Sequence, residues 1–374
     1  MASARDWLID GAPGAITSPE VFAGTCERLR DAGVPIARAE AYVRTLHPQF
    51  AGRAFVWRPG QACTACEADH GADLGAASSP IRQVFETGRA HRNRLGAGRD
   101  STPYLDEVAA LGMTDTIALP LRFTSGEVHA VAFQSDREGG FADAEIAAME
   151  GVMAPLSRIA EILALRRTAT NVLTAYVGRD AGARVLAGKI RRGDIEEIEA
   201  AIWFSDMRGF TALSNERTPS EVIERLNELF DCQLPAIERY GGEVLKFIGD
   251  GLLAIFPPRH GLRACCANAL AASRDAMAAL AERNARSPDA LRFGIALHVG
   301  EVAYGNIGGA WRLDFTCIGR AVNLAARLET LTGATGNDVL ASAAFAQICG
   351  DLERVGEFAV KGFAEPIAAF RPRA

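Results

Sequence analysis

GGEVLKFIGDGLLAIF, residues 241–256, is the stretch from which the architecture can be read. Two short apolar runs, 243–248 and 252–256, flank Gly249-Asp250-Gly251, a turn signal that makes them two strands of one hairpin. Asp250 stands at the tip, where the flanking glycines permit a tight turn and push its carboxylate outward.

Working outward, AAIWFSD (200–206) is an apolar run that reads as a buried strand ending on Asp206. Residues 219–240 read as a helix with Thr218 as N-cap before Pro219, and Pro235 is expected to bend its last turn. A second helix is expected over 261–285, and a strand region over 291–304. The order βαββαβ predicts an α+β, ferredoxin-like sandwich with helices on one face of a mostly antiparallel sheet.

The chain has 374 residues, 49% apolar and 23% charged, enough for two globular domains. A net charge of −6 argues against a nucleic-acid clamp. No apolar run is long enough for a transmembrane segment, and the first residues lack a secretion signal, so the expected location is cytoplasmic. Eight cysteines would then stay reduced. Cys63 and Cys66 form a CTAC followed by Asp69 and His70, which is either half of a metal or redox site or an ordinary loop.

The character of the sequence changes near residue 165. Before it, strand-like alternations (39–46, 53–57, 116–123, 128–134) are separated by turns, and 88–103 reads as a basic, Gly-rich loop. From 143 to 174 apolar residues recur at helical spacing, which suits a dimerising connector or a helix covering the first domain's sheet. Pro155 is expected to kink or break it. His47 and His91 are candidate cofactor ligands or ordinary structural residues, and Trp57 is expected in a core.

Asp206 and Asp250, each after a buried strand and beside a glycine, are placed to share a pair of hard cations. After Asp206, the run MRGFT offers successive backbone N–H groups, with Gly209 permitting close approach of a phosphate. Asn323 and Arg327, four apart, share one helix face within an otherwise apolar run. A phosphate would complete them; a salt bridge is the plainer reading for Arg327.

FSDMRGFT (204–211), GGEVLKFIGDGLLAIF (241–256), HVGEVAYGNIGG (298–309) and FTCIGRAVNLAARLE (315–329) together resemble the catalytic domain of class III nucleotidyl cyclases. The resemblance covers about 196–372 and implies conversion of ATP to cyclic AMP and pyrophosphate at sites shared by a homodimer. It implies two divalent ions, Mg²⁺ or Mn²⁺, held by Asp206, Asp250 and the backbone carbonyl of Met207. Lys246 and Thr316 would read adenine, Asn323 would orient the ribose and Arg327 would stabilise the transition state. Lys361 would grip the terminal phosphate, with Gly209, Phe210 and Thr211 lining the phosphate turn. In this family the metal pair comes from one subunit, and the set of Lys246, Thr316, Asn323 and Arg327 from the other.

Thr316 is similar to the class IIIb form, which implies bicarbonate as an activator. Glu301 stands where some members carry a phosphate-contacting arginine. A guanylate cyclase and a non-catalytic nucleotide sensor are the competing readings, with Lys246 favouring adenine and the full residue set favouring catalysis. Residues 114–136 and 141–163 resemble the end of a GAF-type sensor, so the expected division is a GAF-like domain over 1–165, a helical connector over 166–195 and a catalytic domain over 196–374. The sensor's effector is not legible.

Overall fold

The computed structural model describes residues 3–44, 50–69, 79–95 and 102–373. His47, His70 and part of the expected 88–103 loop lie outside the described residues. The chain divides into two compact units, Met1–Val172 and Leu173–Ala374.

The first unit comprises α1 (Ala4–Ile9), α2 (Ser18–Asp31), β1 (Arg38–Arg44), β2 (Phe50–Trp57), β3 (Thr64–Asp69), α3 (Pro80–Thr87), β4 (His91–Arg94), α4 (Pro103–Ala110), β5 (Asp115–Arg122), β6 (Val128–Ser135) and most of α5 (Asp143–Val177). Its sheet runs β3-β2-β1-β6-β5-β4, antiparallel throughout. Period-2 alternation gives the sheet two apolar faces. Ala39, Phe55, Trp57, Leu119 and Phe133 pack under α1, α2 and α5, whereas Ala118, Ala130 and Ala132 pack under α3 and α4. Trp57 is core, as its alternation predicts.

Part of the expected 88–103 loop is strand: His91–Arg94 pairs with β5, because its backbone completes the sheet edge. His91 lies 2.8 Å from Thr87 Oγ1. Cys66 sits on β3 and Cys63 just before it. Cys63 packs against the core under α2 while Cys66 is exposed, since residues three apart in an extended chain point to opposite faces. Helix α5 runs unbroken through Pro155. The residue whose carbonyl loses its partner, Gly151, is exposed to water, while Met149, Val152, Met153 and Leu156 bury the other face, so the proline does not break the helix.

The second unit begins with α6 (Arg179–Leu186), then β7 (Ile195–Met207), α7 (Phe210–Glu216), α8 (Pro219–Asp231), α9 (Leu234–Arg239), β8 (Glu243–Ile248), β9 (Gly251–Phe256) and α10 (Leu262–Arg286). It continues with β10 (Phe293–Gly308), β11 (Leu313–Ile318), α11 (Arg320–Thr335), β12 (Val339–Ser342), α12 (Ala343–Cys349), β13 (Leu352–Phe358) and β14 (Ile367–Pro372). Strands lie in the order β10-β7-β9-β8 with antiparallel neighbours, the arrangement expected of a βαββαβ unit. The chain adds β12, β14 and β13 beyond β10, and β11 pairs with the far end of β10.

The expectation of helices on one face is corrected by α11. Trp203, Ala254 and Phe256 face α8, α9 and α10, but Ile202, Leu253 and Ile255 pack on the other side against Ala321 and Ala325 of α11. The single helix expected over 219–240 is two. Pro235 cannot supply an N–H inside a helix, so the chain stops at Asp231 and restarts with Pro235 in the first turn of α9, where no N–H is needed. Thr218 caps α8 as predicted, in a capping box with Glu221.

Candidate active site

Strand β7 is buried from Ala200 to Trp203 and delivers Asp206 at its end. Bare backbone surrounds that carboxylate. Gly294 is its cross-strand partner on β10. On the β9 side, a Cβ built on Gly251 would lie 3.0 Å from Asp206 Oδ1 and 2.9 Å from the Ser205 carbonyl oxygen. Glycine at 251 is therefore a steric condition for the carboxylate's position. Ser205 fixes the strand end from below, donating to Gln233 Oε1 at 2.6 Å in the break between α8 and α9.

Asp250 shares a two-residue turn with Gly249, whose φ of 62° suits only glycine well. The turn brings the Asp250 carboxylate to Asp206. Burial, then the Asp250 charge and a hydrogen bond with it, push the Asp206 carboxyl up to about 6, against a donated Met207 N–H that pulls it down. Glu329 of α11, which sequence reasoning passed over, is a third carboxylate here. Burial, then Asp206, hold it at about 7. A Cβ on Gly294 would come within 2.8 Å of Glu329 Oε1, so the group lies over the backbone opposite Asp206. Its place on the buried side of α11, one residue after Leu328 and four after Ala325, was the available signal.

Beyond Asp206, Arg208 donates to the Asn337 carbonyl at 2.7 Å and pairs with Asp338 at 3.0 Å. Gly209, at φ 78°, turns the chain into α7 without a side-chain cap, so the N–H groups of Phe210 and Thr211 have no acceptor within the helix. Phe210 packs on the main core and Thr211 is exposed.

The other predicted residues gather around α11 and β11. A register slip between Val244 and Lys246 lets Leu245 and Lys246 both face the sheet side that carries α11. There Lys246 is near Cys317 of β11, whose thiol burial pushes up to about 12 while Lys246 pulls it down. Thr316, next in the strand, is 3% exposed and its Oγ1 is buried without a hydrogen-bond partner. A buried hydroxyl without a partner is open to a hydrogen bond from something outside the chain.

Asn323 and Arg327 lie together on the exposed face of α11, with Ala321, Ala325 and Leu328 buried beneath. The shared helix face is as expected, and both groups are solvated because their apolar neighbours occupy the opposite face. No ion pair holds Arg327 among the described residues. Lys361 is exposed in the turn after β13, and Phe363 of the same turn sits 5.4 Å under the Arg320 guanidinium at the start of α11.

The arrangement therefore has a half-buried carboxylate pair beside a glycine turn, an exposed Asn323–Arg327 face on α11, and Lys246 near β11 with the buried Thr316 hydroxyl in that strand. Among the described residues no group of three or more His, Cys, Asp or Glu forms a metal cluster. A cation held by Asp206 and Asp250 would need further oxygens from backbone and substrate, which suits hard ions that keep phosphate ligands.

Residues 195–370 match the sequence model of the adenylate and guanylate cyclase catalytic domain. An uncharacterised protein of Mycobacterium tuberculosis is 31% identical over 212 residues, 55% of this chain and 38% of that protein. Adenylate cyclase 1 of Rhizobium meliloti is 35% identical over 161 residues, 41% of this chain and 24% of that protein. The chain thus spans well under half the length of these relatives. A solved bacterial light-regulated adenylyl cyclase aligns with TM-score 0.51 at 20% identity, covering 68% of this chain and 86% of that one, a likeness of fold. Domain match, relatives and architecture agree: residues 195–370 are similar to the catalytic domains of adenylate and guanylate cyclases.

Proposed function

We propose that the protein is an adenylate cyclase, forming 3′,5′-cyclic AMP and pyrophosphate from ATP at sites built between two copies of the chain. The observation that carries this reading is the Asp206–Asp250 pair. Two half-buried carboxylates in contact, the first pushed up to about 6 by its surroundings, form a site that a divalent cation would neutralise. Bound there, a pair of Mg²⁺ or Mn²⁺ ions would supply the charge that acidifies the ribose 3′-hydroxyl and stabilises the leaving pyrophosphate.

The residues supply the rest. Asp206, Asp250 and the Met207 carbonyl hold the ions. The N–H groups of Phe210 and Thr211 after Gly209 receive phosphate oxygens, and Lys361 meets the terminal phosphate. Lys246 and the unpartnered Thr316 hydroxyl read the adenine edge. Asn323 orients the ribose, and Arg327 meets charge that grows on the α-phosphate in the transition state.

A dimer follows from what a single chain leaves exposed. Phe247 and Ile248 lie uncovered beside the Asp250 turn, Ile223 on α8, and Leu313 and Ile318 at the ends of β11. On α5, Ile162, Leu165, Val172 and Tyr176 are exposed at intervals of three, seven and four, a seam for the same helix of a second copy. We read residues 1–165 as a GAF-like sensor, 166–195 as its connector and 196–374 as the catalytic domain. Bicarbonate is a candidate activator of the last. No helix among the described residues is long and apolar enough to cross a membrane.

The test is pyrophosphate release from purified protein with ATP or GTP and Mg²⁺ or Mn²⁺. ATP turnover that Asp250→Ala lowers about a thousandfold or more supports the reading, because a lost ligand removes several kcal/mol of transition-state stabilisation. Turnover of GTP alone would make the protein a guanylate cyclase, and no turnover of either would make it a nucleotide-binding sensor.

A further inference from the structure

Helices α2 and α5 and strands β1, β2, β5 and β6 leave a narrow cleft of about 50 Å³ within the first unit. Val21, Phe22, Val43, Phe55, Leu121 and Leu163 wall it, so nearly everything an occupant touches is hydrocarbon. Its mouth is different. Arg53 and Arg167 both line the cleft. The Arg53 guanidinium lies 5.2 Å from the Phe55 ring centre, and its Nε is buried without a hydrogen-bond partner.

Burial and the nearby Arg167 charge both work against Arg53's positive charge, with Glu67 opposing them. Glu67 is itself engaged, accepting from Arg167 at 2.8 Å. Two guanidiniums therefore share one carboxylate beside apolar walls, which leaves a positive charge for an anion to meet. The volume sets the shape of the remainder. It falls well below the roughly 150 Å³ that takes a benzene ring, so a tail of two or three carbons fits, and a ring, a long chain or a nucleotide does not.

We propose that this cleft binds a small aliphatic carboxylate, its acid group on Arg53 and Arg167 and its tail between α2 and α5. The site has a route to the connector. Ala160, Leu163, Ala164 and Arg167 line the cleft from the same two turns of α5 whose other side exposes Ile162 and Leu165. An occupant shifts the packing of the segment that carries the seam. Binding stands apart from the reading of residues 195–370, and only its effect on turnover rests on that reading.

Titration of the full-length protein, without nucleotide, with butanoate and with butan-1-ol tests the proposal by calorimetry. Saturable butanoate binding is expected, with butan-1-ol at least about tenfold weaker for want of the charged contact. Arg53→Gln brings butanoate down to the level of butan-1-ol, Arg53→Lys keeps part of the difference, and Ala160→Phe fills the cleft and abolishes both. Melting curves establish that each variant is folded. Absence of saturable butanoate binding, equal affinity for acid and alcohol, or butanoate binding untouched by both Arg53→Gln and Ala160→Phe would overturn it.

Discussion

Asp206 keeps its proton up to about pH 6 because Asp250 lies against it and neither is fully solvated. A proton and a cation then compete for one group. The folded-state value is raised above the ordinary 3.8, so the metal-free fold binds this proton more tightly than the unfolded chain does. The stability it contributes is complete below the unfolded value and is lost as pH rises through about 6. Cation binding has the opposite dependence. The rise in melting temperature caused by Mn²⁺ should be full at pH 8 and shrink as pH falls through about 6, with Asp250→Asn flattening the profile. A rise that is the same at pH 5 and pH 8 would remove Asp206 from the cation site.

Base choice also belongs to single residues. If Lys246 and the unpartnered Thr316 hydroxyl read the base as proposed, Lys246→Glu with Thr316→Cys should lower ATP turnover about 10- to 100-fold, the scale of one or two lost hydrogen bonds. The same variant should gain GTP turnover. An unchanged ATP:GTP ratio would place the base elsewhere.

At the scale of elements, strand and helix identity from 200 to 304 was legible because each apolar run has one period and its own stop signal, whereas β11, β12, α12, β13 and β14 were not assigned from the sequence. The Thr218 cap shows how local that information is: its hydroxyl and Glu221 satisfy two orphan donors at the start of α8. Thr218→Ala should cost about 1 kcal/mol in urea unfolding. Less legible was anything decided by a partner far along the chain. Pro155 sits in a continuous helix because the tertiary packing of α5 outweighs one missing bond, while Pro235 falls in the first turn of α9, where its missing N–H costs nothing. The face taken by α11 depends on Ile202, Leu253 and Ile255 also being apolar, which hydropathy alone did not connect to Ala321 and Ala325.

The site itself was half legible. Asp206 and Asp250 announced themselves by strand ends and glycines, whereas Glu329 looked like one more helix-surface charge until Gly294 left room for it. The seam on α5 carries its own prediction. Leu165→Asp with Val172→Asp places charges on exposed apolar positions, so the fold should survive, while sedimentation should move toward monomer and turnover should fall with it.

For the whole molecule, each unit has its own core, and the proposed chemistry needs two copies of the second. In one chain the Asp206–Asp250 pair and the Asn323–Arg327 face are separate surfaces, each left open to solvent on one side. That account is tested most directly by mixing. Asp250→Ala and Arg327→Ala should each be nearly inactive alone, since each spoils both sites of its own homodimer. Co-refolded in equal amounts, half the dimers are mixed, and each mixed dimer has one intact site, so the mixture should recover about a quarter of native turnover. A mixture as inactive as its components, although mixed dimers form, would contradict a site shared between chains.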